Sequence, residues 1–157
     1  MYKRQTQDEW IEIVNRTSLP ILLDHLELFY QGNLRLTFGT LCLPPRSALT
    51  LFNQQPATFW MWSTPFIGQL DTQAPDEFTL VNSADILLEL KTNDGLVLST
   101  WTTSSNQTQS GLSLNRNPDL DLDASPTLHS SLPIANGSPF SPGRCPNGLR
   151  YENQCLE

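Results

Sequence analysis

The residues of this chain that come nearest to a metal loop are three carboxylates at alternating positions, Asp119, Asp121 and Asp123. An EF-hand loop beginning at Asp119 needs a glycine at its sixth position and a glutamate at its twelfth. The chain has Ala124 and Ser130 there, so that motif is absent. What remains is a looser calcium site or an acidic, solvated loop after Pro118, and the solvated loop is the expected reading. Glu12 is the other carboxylate in a position of interest. In an extended segment it shares a face with Trp10 and Val14, and if that face turns inward the carboxylate is part-buried and needs a partner. No second carboxylate or nucleophile is placed with it, so a structural ion pair or a solvated position is expected, not general acid or base chemistry.

Cys145 and Cys155 bracket a short run of turn residues. The loop between them closes as a disulfide or carries two reduced thiols. The disulfide is the expected state, and it implies an oxidising compartment. Cys42, between Leu41 and Leu43, reads as a small buried hydrophobe and not as a nucleophile. Neither His25 nor His129 stands at ligand spacing from the cysteines, which argues against zinc, and neither lies near a nucleophile elbow. The chain is therefore read as a non-enzyme with no cofactor and no metal. Trp60 and Trp62, in the run from Phe59 to Trp62, share a face if that run is extended. They form either core or a platform on which sugars stack. Sequons occur at Asn15, Asn106 and Asn136 and matter only in a host that glycosylates.

The elements that must position these residues alternate with a period of two. Trp10 to Val14 reads as a strand stopped at Asn15, Leu34 to Phe38 places Leu34, Leu36 and Phe38 on one face, and Ala48 to Phe52 is a further strand. Ile86 to Leu90 and Leu96 to Trp101 flank Asp94 and Gly95, a hairpin turn signal. Residues 18–32 read as a helix capped by Ser18, with Pro20 in its first turn and Gly32 past its end, or as a loop followed by a strand from His25 to Tyr30. Beyond Thr102 the chain turns to Ser, Thr, Asn, Pro and Asp, with short strands expected near Gly111–Leu114 and Thr127–Leu132. Many short strands with Pro, Gly and Asn turns predict an all-β sandwich or barrel.

The chain has 157 residues and a net charge of −7, enough length for one self-sufficient core. Its only lysines are Lys3 and Lys91, so no basic stripe can be assembled, and the negative balance opposes nucleic-acid binding. No apolar run approaches the ~20 residues of a spanning helix, so no membrane span is expected.

In order and spacing these segments resemble a lamin tail domain, an immunoglobulin-like β-sandwich. The resemblance is carried by Glu9 to Asn15, Ile21 to Asp24, Leu41 to Leu49 with its two prolines, Asn82 to Leu90 followed by Asp94 and Gly95, Gly111 to Asp119, and Phe140 to Gly143. The last two segments are similar to the extended C-terminal part of bacterial, secreted members. The resemblance spans residues 8 to about 148, and it implies a strand within residues 18–32. It also implies residues 1–7 as a non-native or disordered start, 8–103 as the sandwich core, and 104–157 as a C-terminal strap of the same domain. Family members usually carry a first strand before the element at Glu9. Its lack here implies that Met1 is not the biological start, and that a signal peptide and an edge strand lie upstream. Arg116, in the matched Ser-Leu-Asn-Arg motif, becomes the expected ion-pair partner of Glu12. The implied function is a non-catalytic adhesion, scaffolding or protein-interaction module of a secreted or cell-surface protein, with a protein or surface component as partner. The alternatives are a carbohydrate-binding module using Trp60 and Trp62, and the accessory domain of a larger secreted hydrolase.

Overall fold

The computed structural model describes residues 10–52, 67–69, 84–109, 112–139, 141, 143–149 and 151. The expectations for residues 1–7, for Trp60 and Trp62, and for Cys155 lie outside the described residues. Within them the chain is all-β: mostly strand, with only three-residue 3-10 turns as helix. No described helix is long and apolar enough to cross a membrane.

The strands in chain order are β1 (Trp10–Asn15), β2 (Ile21–Leu22), β3 (Leu26–Tyr30), β4 (Asn33–Thr37), β5 (Cys42–Leu43), β6 (Ser47–Phe52), β7 (Ile67–Gln69), β8 (Ile86–Thr92), β9 (Val97–Thr103), β10 (Leu114–Arg116) and β11 (Pro126–Leu128). One sheet has the order β1-β6-β7 and a second the order β4-β3-β8-β9, with β2-β5 and β10-β11 as separate pairs. Apart from the parallel pair β6–β7, the pairings are antiparallel.

Residues 18–32 form strand and not helix, because Leu26, Leu28 and Tyr30 alternate inward and pair along β8. The turn into β4 explains how the segment ends. Gln31 and Gly32 both take positive φ, 52° and 74°, the two-residue geometry whose twist suits a hairpin. A register shift at Leu28 and Phe29 follows, and of the expected row only Leu36 and Phe38 reach the core while Leu34 stays exposed. The hairpin at Asp94 and Gly95 forms between β8 and β9 as expected, with Gly95 at φ 90°.

Side chains from both larger sheets meet in one core. Ile11 of β1 and Leu49 and Leu51 of β6 pack with Leu26 and Leu28 of β3 and Ile86 and Leu88 of β8. Each such side chain contributes about 1.5–3 kcal/mol by leaving water. Leu43 of β5 joins them, and its neighbour Cys42 therefore points the other way. Cys42 is an exposed free thiol, which corrects the expectation of a buried one. A second cluster lies behind the first sheet, where Ala48, Cys145 and Tyr151 pack with Val14 and Leu120. Strand β1 is thus covered on both faces, by the core on the side of Ile11 and Ile13 and by the C-terminal segment on the side of Val14.

Candidate functional site

Glu12 lies in the middle of β1, opposite Thr50 of β6, on the face turned toward the C-terminal segment. The Tyr151 hydroxyl donates to Glu12 Oε1 at 2.5 Å, and the Gly143 backbone N–H donates to Oε2. Burial raises the Glu12 carboxyl to about 7, the two donated hydrogen bonds pull it partly back, and the nearby Asp119 carboxylate adds to the rise. Tyr151 is held well above its ordinary value by burial and by the facing Glu12, so it stays a neutral donor.

The expected ion pair of Glu12 with Arg116 does not form. The Arg116 guanidinium lies 5.2 Å over the Trp101 ring and donates to the carbonyls of Thr100 (2.6 Å), Ala124 (3.2 Å) and Leu122. It fastens β10 and the acidic loop to β9. Burial lowers its pKa, and the fields of Asp121 and Asp123 oppose that shift. Two of the three aspartates proposed for calcium thus act as countercharges. Asp119 Oδ1 accepts the Leu120 N–H at 3.1 Å and Asp121 Oδ1 accepts the Asp123 N–H at 2.9 Å. Among the described residues no group of three or more His, Cys, Asp or Glu side chains is arranged to hold a metal.

Cys145 is disulfide-bonded and fully buried against Ala48. His25 is exposed beside Asp24, 3.3 Å away. His129 is fully buried, with Nδ1 2.8 Å from Asn115 Oδ1 and Nε2 without a partner among the described residues. Burial pushes its imidazole down to about 4, so it is neutral near pH 7.

Asn15 carries a structural role that the sequence reading missed. Its side chain is 1% exposed, and Nδ2 donates to the carbonyls of Leu19 (2.8 Å), Leu43 (3.1 Å) and Pro44 (2.9 Å). Oδ1 accepts from the backbone and hydroxyl of Thr17, at 2.9 and 2.8 Å. A glycan cannot occupy that nitrogen in the folded chain, whereas Asn106 and Asn136 are exposed. An Asn at a strand end, followed by Thr17 and Ser18, was the available signal.

A cleft of about 470 Å³ is lined by residues of β1, β3, β8, β9 and β10. Among the described residues strand β1 is the edge of its sheet and β9 the edge of the other, and both line the cleft. Ile13, Leu90 and Trp101 form its interior, and the half-exposed Leu98 and Leu122 stand at its rim. The Trp101 indole N–H is buried and finds no acceptor among the described residues. Tyr151 and Ser141 wall the part of the cleft nearest Glu12. The cleft offers an apolar trough beside a strand edge, with an unused donor in its wall.

In comparisons with family models, curated proteins and solved structures, no match to this chain is found.

Proposed function

We propose that the chain is a non-catalytic protein-interaction module, an immunoglobulin-like sandwich of the lamin-tail type acting on a secreted or cell-surface protein, and that it takes an extended peptide segment of its partner into the cleft between β1 and β9. The observation that carries this reading is the pairing of an apolar trough with β1, the edge of its sheet among the described residues. A strand added along β1 gains backbone hydrogen bonds, and every second side chain enters the trough. The Trp101 indole N–H would meet a carbonyl of that peptide. The architecture supports the sandwich reading because two sheets contribute to one core. The disulfide at Cys145 supports an oxidising compartment. The charge of −7 supports a protein partner over nucleic acid.

The test is selection of peptides from a random display library on the immobilised chain. Peptides with alternating apolar residues are expected, with binding lost in the rim variants Leu98→Arg and Leu122→Arg, whose exposed positions leave the fold intact. No enrichment, or binding indifferent to both variants, overturns the reading.

A further inference from the structure

We propose that Asn136 is a site of spontaneous covalent modification: in the folded chain its side-chain amide is converted to a carboxylate through attack by the Gly137 backbone nitrogen, while the fold protects a second Asn-Gly pair from the same reaction. The two pairs are Asn136–Gly137 and Asn147–Gly148. In each, the residue after asparagine has no Cβ to obstruct the ring that must close. What separates them is how each turn is held.

Asn136 and Gly137 are both exposed, at the end of the 3-10 turn Pro133–Ala135. Asn136 has φ 48° and ψ 42°, and Gly137 has φ 75°, so both lie in the left-handed region. The turn is held from its flanks. The Asn136 N–H donates to the Pro133 carbonyl at 3.3 Å, and the Ser138 N–H donates to the Ala135 carbonyl at 2.8 Å. The peptide group between Asn136 and Gly137 has no hydrogen bond among the described residues, and neither has the Asn136 side chain. No atom beyond its chain neighbours lies within 4 Å of the place a Cβ would occupy at Gly137. That peptide group can therefore turn over and bring the Gly137 nitrogen against Asn136 Cγ without breaking a hydrogen bond. The second pair is fastened. The Gly148 N–H donates to the Cys145 carbonyl at 2.8 Å, and Asn147 Oδ1 accepts the Leu149 N–H at 3.0 Å. Arg144 also donates to the Gly148 carbonyl at 3.0 Å, and Cys145 itself is fully buried and disulfide-bonded. There both the nucleophile and the carboxamide are engaged.

In the reaction the Gly137 N–H gives its proton to hydroxide or a buffer base, and the nitrogen forms a bond to Asn136 Cγ. The Cγ–Nδ2 bond breaks, and the departing nitrogen takes up a proton from solvent and leaves as ammonia. A succinimide ring remains, which water opens. Attack of water at Cγ gives an aspartyl residue. Attack at the main-chain carbonyl gives an isoaspartyl residue, whose chain runs through Cβ and Cγ and is one methylene longer. The net change consumes one water and releases one ammonia. The new charge and the added methylene fall just before Pro139, whose carbonyl accepts the buried Ser113 N–H at 3.1 Å. Conversion also removes the acceptor amide of the sequon at Asn136. This chemistry stands whether or not the cleft takes a peptide.

The experiment is timed incubation of the full, oxidised chain at pH 7 and pH 8, followed by reduction, trypsin digestion and mass spectrometry that separates asparaginyl, aspartyl and isoaspartyl peptides. Cleavage after Arg116, Arg144 and Arg150 places the two pairs in different peptides. Two hydrogen bonds must open before Asn147 can react, so Asn136 is expected to convert about ten- to a hundredfold faster. Its rate is expected to rise from pH 7 to pH 8, as removal of the Gly137 proton requires. In the reduced chain unfolded in urea, the two sites are expected to convert at similar rates. An Asn136 that reacts no faster than Asn147 in the folded chain overturns the proposal. So does the same large difference in the unfolded chain, which would trace it to neighbouring residues and not to the fold.

Discussion

Asn15→Ala removes five hydrogen bonds at one stroke, and the structure says which of their partners can be re-satisfied. The Leu19 carbonyl keeps the Thr17 hydroxyl at 2.8 Å, and the Pro44 carbonyl keeps the Ser47 hydroxyl at 2.7 Å. The Leu43 carbonyl loses its bond in a buried setting, and the Thr17 N–H loses its acceptor. One buried orphan carbonyl costs about 1–3 kcal/mol, and the four remaining losses, most with a partner still at hand, about 0.5 kcal/mol each, which together give a destabilisation of about 3–5 kcal/mol. For a domain of this size that is roughly 6–20 °C in Tm. Asn15→Asp is the sharper perturbation. It keeps the acceptor for Thr17 but turns an anionic oxygen toward three carbonyls in a closed site, so it is expected to cost more than Ala. Urea unfolding followed by tryptophan fluorescence measures both. A cost for Ala below about 1 kcal/mol, or an Asp variant more stable than the Ala variant, would refute the reasoning.

Glu12 and His129 place opposite slopes on stability. The raised Glu12 carboxyl contributes most below 4.5 and its contribution is lost as pH rises through about 7. The depressed His129 contributes fully above its ordinary 6.5 and loses that contribution as pH falls toward about 4. Urea titrations are therefore expected to show Glu12→Gln gaining about 1–3 kcal/mol on the wild type between pH 5 and 8. His129→Gln should flatten the acid limb, and parallel profiles for all three proteins would contradict both assignments. Under native, non-reducing conditions iodoacetamide is expected to label Cys42 and to leave Cys145 unlabelled until reduction, read by peptide mass mapping. Labelling of Cys145 before reduction would contradict its bonded state.

What could be read from the sequence was the part that depends on neighbours in the chain. Strand β1 followed from the alternation of Trp10 to Val14, and the β8–β9 hairpin from Asp94 and Gly95 between apolar runs. The residues that failed depend on register or on distant partners. Cys42 is exposed because Leu43 takes the inward position, and no local pattern says which of two adjacent apolar residues turns in. Leu34 is exposed although it continues an apolar row, because the register shift in β3–β4 pairs it with Phe29, on the face away from the buried Leu28 and Tyr30. The sequence marks Glu12 as a carboxylate that needs a partner if its face turns inward. Its partners, a phenol and a backbone amide more than 130 residues away, are supplied by a segment with no periodicity to read. Arg116 is a reasonable counterion by charge alone, yet its guanidinium lies over Trp101 and donates to three carbonyls instead.

The proposed function has the edge of β1 and the trough beside it receive a partner strand. The most direct measurement is an amide-exchange footprint of the chain with a selected peptide bound. New protection is expected at residues 11–14 of β1 together with 98–101 of β9. Protection confined to other strands, with those amides unchanged, would contradict it.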